Sequence, residues 1–180
     1  GILLLSFLLT GCGSQEPQTG KKMSMYYINT AETKVEVHEQ YLNTKTLDEQ
    51  LDETMRYLST TPEKLEYKAP LDMGFRVLDY EVEDGKLLIN VDKAYSELSP
   101  TTEVLVRAAI VRTLTQLPNV KYVGITVEDS QLYDNAGEMV GWMNADQFIN
   151  NDGNEINTYE LVKVKLYFAN AAGDKLIASY

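Results

Sequence analysis

The sequence predicts an α+β domain: a two-layer α/β sandwich in approximate β-α-β-β-α-β order, with two helices on one face of a mixed or antiparallel sheet. Three observations carry this reading. Two segments begin with helix-capping residues, Thr46 and Ser99, and continue with apolar residues at helical spacing. An Asp84-Gly85 turn joins two strand-like runs. Further β-rich runs stand before the first helix and after the second.

The elements follow in chain order. Residues 23–29, MSMYYIN, and 33–37, TKVEV, read as one or two strands around a turn at 30–32. Thr46 with Glu49 three residues on forms a capping-box pattern. Leu47, Leu51, Met55 and Leu58 then make an apolar stripe, with Asp48, Glu49, Asp52 and Glu53 toward water, and the helix stops before Pro62. Runs 75–83 and 86–92 flank Asp84-Gly85, which accepts the positive φ values of a type I′ hairpin; Leu87, Ile89 and Val91 give the second run an inner face. Ser99 as N-cap, Pro100 at the first helical position and Glu103 in the first turn start a second helix that runs to Leu117 before Pro118. Apolar residues cover much of its circumference, so it is the more buried helix. Residues 121–129 read as a strand with Val123, Ile125 and Val127 on one face, followed by loops and by GWMNADQF at 141–148.

Composition bounds the function. The chain has 180 residues, a formal net charge of −11, one Cys and one His, enough for one well-packed domain. A disulfide framework is impossible with a single thiol, and a Cys/His zinc site lacks ligands. The acidic balance opposes nucleic-acid binding, because polyphosphate is repelled. No cofactor is expected.

The first residues address the compartment. Residues 2–9, ILLLSFLL, are too few to span a bilayer but suit the apolar region of an export signal. The chain opens on Gly1 with no basic residue ahead of that run, which reads as a partial leader. Leu9-Thr10-Gly11-Cys12 resembles the lipobox of bacterial lipoproteins, which implies that Cys12 carries the lipid that holds the protein on the extracytoplasmic face of the cell membrane. The competing reading is a buried free Cys behind an apolar strand. The domain organisation is then a signal remnant at 1–11, a polar tether at 12–21, a folded domain at 22–150, a linker at 151–162 and, at 163–180, the start of a truncated second repeat. The repeat rests on residues 22–35 laid against 163–176 at an offset of 141, where Lys22, Tyr26, Asn29, Ala31 and Lys34 meet Lys163, Tyr167, Asn170, Ala172 and Lys175.

No catalytic set is legible. A triad would need His38 as its base, and His38 reads as an exposed strand-end residue. Glu81 with Glu83, or Asp48 with Glu49, could serve a glycosidase, but such pairs on strands and first helical turns form a solvated face. The run 150–154 lacks calcium-loop spacing, so no metal is expected. Trp142 and Met143, an apolar pair beside polar residues, are the candidate partner contacts. The segment around Asn144 and Asp146 reads as a capped turn.

Read together, Leu98-Ser99-Pro100-Thr101-Thr102-Glu103, the helix after it, Leu117-Pro118-Asn119-Val120, the strand at 123–127 and the Gly141-x-Met143-Asn144-Ala145-Asp146 segment resemble the GerMN domain family. The opening Tyr26-Tyr27-Ile28-Asn29 and the Asp84-Gly85 hairpin fall where that family has its first strand and central hairpin. The resemblance implies an envelope lipoprotein of a spore-forming bacterium; the missing catalytic set makes it an expected non-enzyme. It implies assembly with other sporulation-complex proteins, leaving self-association open. The alternative is a wall- or ligand-binding accessory lipoprotein that modulates a sensor kinase or a cell-wall enzyme.

Overall fold

The structure is a computed structural model that describes residues 20–62 and 66–148, together with the backbone of two strands at 166–169 and 176–179. Cys12 and the leader, nearly all of the tether, and the linker lie outside the described residues. The described fold is α+β, as expected, with its strands divided between separate sheets.

The first sheet has order β2-β1-β3, from β1 (Lys21–Asn29), β2 (Val35–Leu42) and β3 (Tyr67–Lys68). β2 begins later and runs further than 33–37. The Asn29 side-chain oxygen accepts from the amides of Thr33 at 2.8 Å and Lys34 at 3.1 Å, which keeps those residues in the turn. Beyond it, β1 offers partners as far as Lys21, opposite Leu42. His38 accordingly sits inside the strand, opposite Met25 and half-buried, rather than at an exposed end.

On its second edge β1 meets β3 only at Ile28 and Asn29, and a helix closes the rest. α2 (Pro100–Leu114) ends beside it, where the Tyr26 amide donates to Thr113 Oγ1 at 3.0 Å. The Ser24 amide donates to Gln116 Oε1 at 3.0 Å, and Gln116 Nε2 donates to the Ser24 carbonyl at 2.7 Å. Side chains thus stand in for a neighbouring strand, because backbone donors and acceptors shut away from water must be paired. α2 stops at Leu114, short of Leu117, with a tighter turn in which the Leu117 amide reaches the Leu114 carbonyl at 3.1 Å.

α1 (Leu47–Leu58) carries the expected capping box, with Thr46 and Glu49 each accepting from the other's backbone amide. Its faces differ from the simple stripe. Leu47 is 41% exposed, whereas Glu53 is buried. The Glu53 carboxylate turns back to receive the amides of Asn43 and Thr44 and the Thr44 hydroxyl, the last at 2.7 Å, and so ties the chain ahead of the helix to its second turn.

The second sheet, order β4-β5-β6-β7, is mixed. β4 (Val77–Glu83) and β5 (Lys86–Val91) form the hairpin, with φ of 50° at Asp84 and 79° at Gly85. β6 (Tyr122–Val127) joins β5 in parallel, as the crossover through α2 requires, and β7 (Ser130–Gln131) closes antiparallel on its end. The core fills the space among α1, α2 and the inner faces of both sheets, from Met25, Tyr27 and Ile28 through Leu58, Ile110 and Leu114 to Leu87, Ile89 and Val123. α2 touches α1, β1 and β6, which accounts for its burial on nearly every side.

β8 (Leu166–Ala169) and β9 (Leu176–Ser179) make an antiparallel pair with Leu166 opposite Ser179 and Ala169 opposite Leu176. β1 and β2 place Met25 opposite His38 and Ile28 opposite Val35. Displaced by the offset of the sequence repeat, each of these pairs falls on its β8–β9 counterpart.

Candidate functional site

Strand alternation divides the second sheet into two faces. Leu87, Ile89, Val91, Val123 and Ile125 point into the core. The outward face is therefore built in rows: Glu83, Lys86 and Tyr122; Glu81, Leu88 and Gly124; Asp79, Asn90 and Thr126. Its middle row lacks a side chain at Gly124, and Trp142 fills that place.

The approach is close. A β-carbon at residue 124 would lie 2.8 Å from Trp142 Cζ3, 3.0 Å from Cε3 and 3.2 Å from Leu88 Cδ1, so only glycine admits the indole there. Lys86 Nζ stands 5.5 Å from the centre of the same ring, a cation–π contact of about 0.5–1 kcal/mol at such a site. Trp142 as a whole remains 43% exposed. It is a large aromatic held from below and from one side, with its remaining surface open.

Local backbone sets this placement. Met143 makes a two-bond bridge with Val123, amide to carbonyl at 2.8 Å in each direction, on the β6 edge that β5 leaves free. Met143 then turns inward and is 2% exposed, so of the two candidate contacts only Trp142 presents a surface. Next, Asn144 caps a short turn at Ala145–Gln147, accepting from the Asp146 amide at 3.1 Å, and its own amide donates to Gln147 Oε1 at 2.9 Å. Upstream, residues 132–140 form a small hairpin in which Tyr133 faces Met139, these being 59% and 60% exposed. Val140 packs against the core and Met143 lies within it, three residues apart. Gly141, at φ 64°, absorbs this break in alternation and leaves Met139 and Trp142 turned outward.

The third row is polar and braced. Asn90 donates to Asp129 Oδ1 at 2.7 Å and to Asp79 Oδ2 at 3.1 Å, while its carbonyl oxygen accepts from the Asp129 amide at 3.0 Å. These bonds hold the Glu128-Asp129 turn, whose φ values of 47° and 62° L-residues rarely adopt.

Elsewhere the polar groups are structural. The Tyr95 hydroxyl donates to Glu103 Oε1 at 2.9 Å, and Arg107 Nε lies 2.7 Å from the same oxygen without aiming its hydrogen at it, so the contact is an ion pair more than an aligned hydrogen bond. Burial, then Glu103, pushes the Tyr95 hydroxyl well above its ordinary value. Glu32 bonds Lys68 and, at 2.6 Å, the Thr102 hydroxyl, and these two partners in that order hold its carboxyl below the usual range. Among the described residues no three His, Cys, Asp or Glu are gathered to hold a metal ion, and no helix is long and apolar enough to cross a membrane.

Comparison with known proteins bears on the whole domain. The family model described as Germane, sporulation and spore germination, matches residues 24–133, ending before the segment that carries Trp142. The first GerMN domain of the sporulation protein GerM from Bacillus subtilis is similar in fold, with a TM-score of 0.50 at 15% identity, over 66% of this chain and 92% of that one. The tandem GerMN domains of GerM from Bacillus subtilis give a TM-score of 0.49 at 17% identity, over 75% of this chain and 49% of that one. The chain thus spans about half the length of the tandem pair. No curated protein matches the sequence.

Proposed function

The chain belongs to the Germane family of sporulation and spore germination domains, and from that premise we propose that it is a non-catalytic module that docks protein partners in the cell envelope while held to the membrane by a lipid on Cys12. One observation carries the docking role: Trp142, seated on Gly124 and braced by Lys86, with its free surface outward. An exposed indole costs solvation, and only glycine at 124 accommodates it. Large aromatics held in one orientation are the groups that dominate protein interfaces. Tyr122, 42% exposed, lies in the adjoining row and extends the apolar surface. The acidic residues of β4 flank it, with Glu81 opposite Leu88 and Glu83 opposite Lys86, and supply a polar rim of the kind interfaces have.

We propose in addition that residues 163–180 open a second copy of the domain. The coincidence of the β1–β2 and β8–β9 registers at the repeat offset supports this, since a chance resemblance between two strands does not extend to pairing register and turn length.

The test of docking is a photo-crosslinking amino acid at position 142 in the source organism. An adduct with an envelope protein from 142, absent when the same residue replaces exposed Leu47, is the expected result. Equal adducts from both positions, or none from 142 through sporulation, would refute the docking role.

A further inference from the structure

A cavity of about 190 Å³ opens between the β1–β2 pair and the C-terminal end of α1, lined chiefly by Tyr27, His38, Gln40, Arg56, Tyr57 and Thr60. It lies on the first sheet, away from the Trp142 face, and its chemistry is independent of the docking role. Its lining is unusual for this chain. The formal net charge is −11, yet none of the described residues that line the cavity is acidic, while Arg56 and the only histidine both reach it.

The nearest carboxylates on the framing strands and helix have partners of their own. Glu36 pairs with Lys34 at 2.6 Å and Glu39 with Lys22 at 2.7 Å. Glu53 is held mainly by the Asn43 and Thr44 amides and also accepts from the hydroxyl of Tyr57 at 3.4 Å, behind the cavity wall. Arg56 makes none of the close ion pairs of the described residues, although its charge reaches Glu53 one turn away from the cavity. Instead its guanidinium carbon stands 5.0 Å from the centre of the Tyr57 ring, a contact that orients the fork without consuming its donors. Tyr27 forms part of the wall as a neutral hydroxyl, burial having pushed it up to about 12. A guanidinium fork matches a planar two-oxygen anion, and a space this small admits a terminal group rather than a large ligand.

We propose that this cavity binds a carboxylate group, carried by a small acid or by the C-terminal end of a peptide, with Arg56 pairing with its oxygens and His38, Gln40 and Thr60 offering the surrounding hydrogen-bond donors.

His38 is the only histidine in the chain, so its ring resonances report on the cavity without ambiguity. Sodium acetate is titrated into the protein at constant pH against sodium chloride at equal ionic strength. The His38 ring and Arg56 Nε–H signals move saturably with acetate and not with chloride, at a Kd in the millimolar range expected for so small a contact. Arg56→Gln loses the movement, and Arg56→Lys, which keeps the charge but not the fork, weakens it several-fold. N-acetyl-Ala-Ala and its C-terminal amide separate the two sources. Tighter binding of the peptide acid than of acetate, with none of the amide, assigns a peptide end, whereas binding of acetate alone assigns a small acid. The proposal is overturned if neither acid moves these signals, if the amide moves them as the acid does, or if the movement survives in a folded Arg56→Gln protein.

Discussion

Adding a single methyl group at Gly124 is the sharpest perturbation of the Trp142 seat. The backbone at 124 is not in the left-handed region, so Gly124→Ala strains no dihedral; its whole effect is the approach of 2.8 Å to the indole. Two responses are open. If the ring stays, the overpacking costs about 1–3 kcal/mol. If the ring swings away, it gives up the covered portion, a little over half of a side chain that is 43% exposed. For a surface of about 250 Å² at roughly 25 cal/mol per Å² this is at most ~3.6 kcal/mol, and the ring also forgoes the cation–π attraction of Lys86. The two routes together predict a loss of about 1–4 kcal/mol in denaturant unfolding. They separate in fluorescence, which is specific because Trp142 is the only tryptophan. A ring that stays keeps its emission maximum, and a ring that leaves shifts to the red and is quenched more by acrylamide. Unchanged emission, quenching and unfolding midpoint together would refute the claim that the indole rests on Gly124.

Other perturbations test the frame. Thr113→Val preserves shape but leaves the Tyr26 amide without its acceptor, so stability should fall by about 1–3 kcal/mol and the Tyr26 amide should exchange faster with solvent; slow exchange in the variant would show that α2 does not close the β1 edge. Burial alone pushes the Glu53 carboxyl up, but the Thr44 hydroxyl, the amides of Asn43 and Thr44 and the charge of Arg56 bring it below its ordinary 4.5. Its contribution is therefore fully present above pH 4.5 and disappears as the pH falls through the lower folded value, so Glu53→Gln should be less stable at neutral pH and lose less on acidification. An acid profile parallel to that of the parent protein would contradict this. Tyr95→Phe removes the hydroxyl from Glu103 and should cost about 1–2 kcal/mol by thermal unfolding; an unchanged midpoint would mean that Arg107 alone satisfies the carboxylate. Cys12→Ser, expressed behind a complete leader, should leave the membrane fraction, and retention there would exclude lipidation as the anchor.

Local chemistry made the caps and turns legible in the sequence. Thr46 with Glu49, Ser99 with Pro100 and Asp84-Gly85 act within a few residues of themselves, and the structure realises all three. Features that depend on distant partners were not legible. The division into two sheets turns on Thr113 and Gln116 reaching β1 from 87 and 92 positions away, which no window along the chain detects. Glu53 was assigned to water by periodicity, yet two amides ahead of the helix draw it inward. The Trp142–Met143 pair was visible as apolar residues, but which of them faces outward depended on the bridge to Val123. A signal for its seat was present in the lone glycine inside the strand run KYVGITVED, since a residue without a side chain there marks close approach by another group. The cavity beside Arg56 had no sequence signature, because its walls come from both partners of a hairpin and from the far end of a helix.

The docking claim is tested most directly by comparing two exposed apolar side chains in the source organism. Trp142→Ser and Leu47→Ser remove surfaces of similar exposure, 43% and 41%, from different parts of the fold. With both proteins folded and present at the parent level, Trp142→Ser should lower the yield of heat-resistant spores and Leu47→Ser should leave it unchanged. Parent-level sporulation with Trp142→Ser, or an equal deficit from both, would contradict the account.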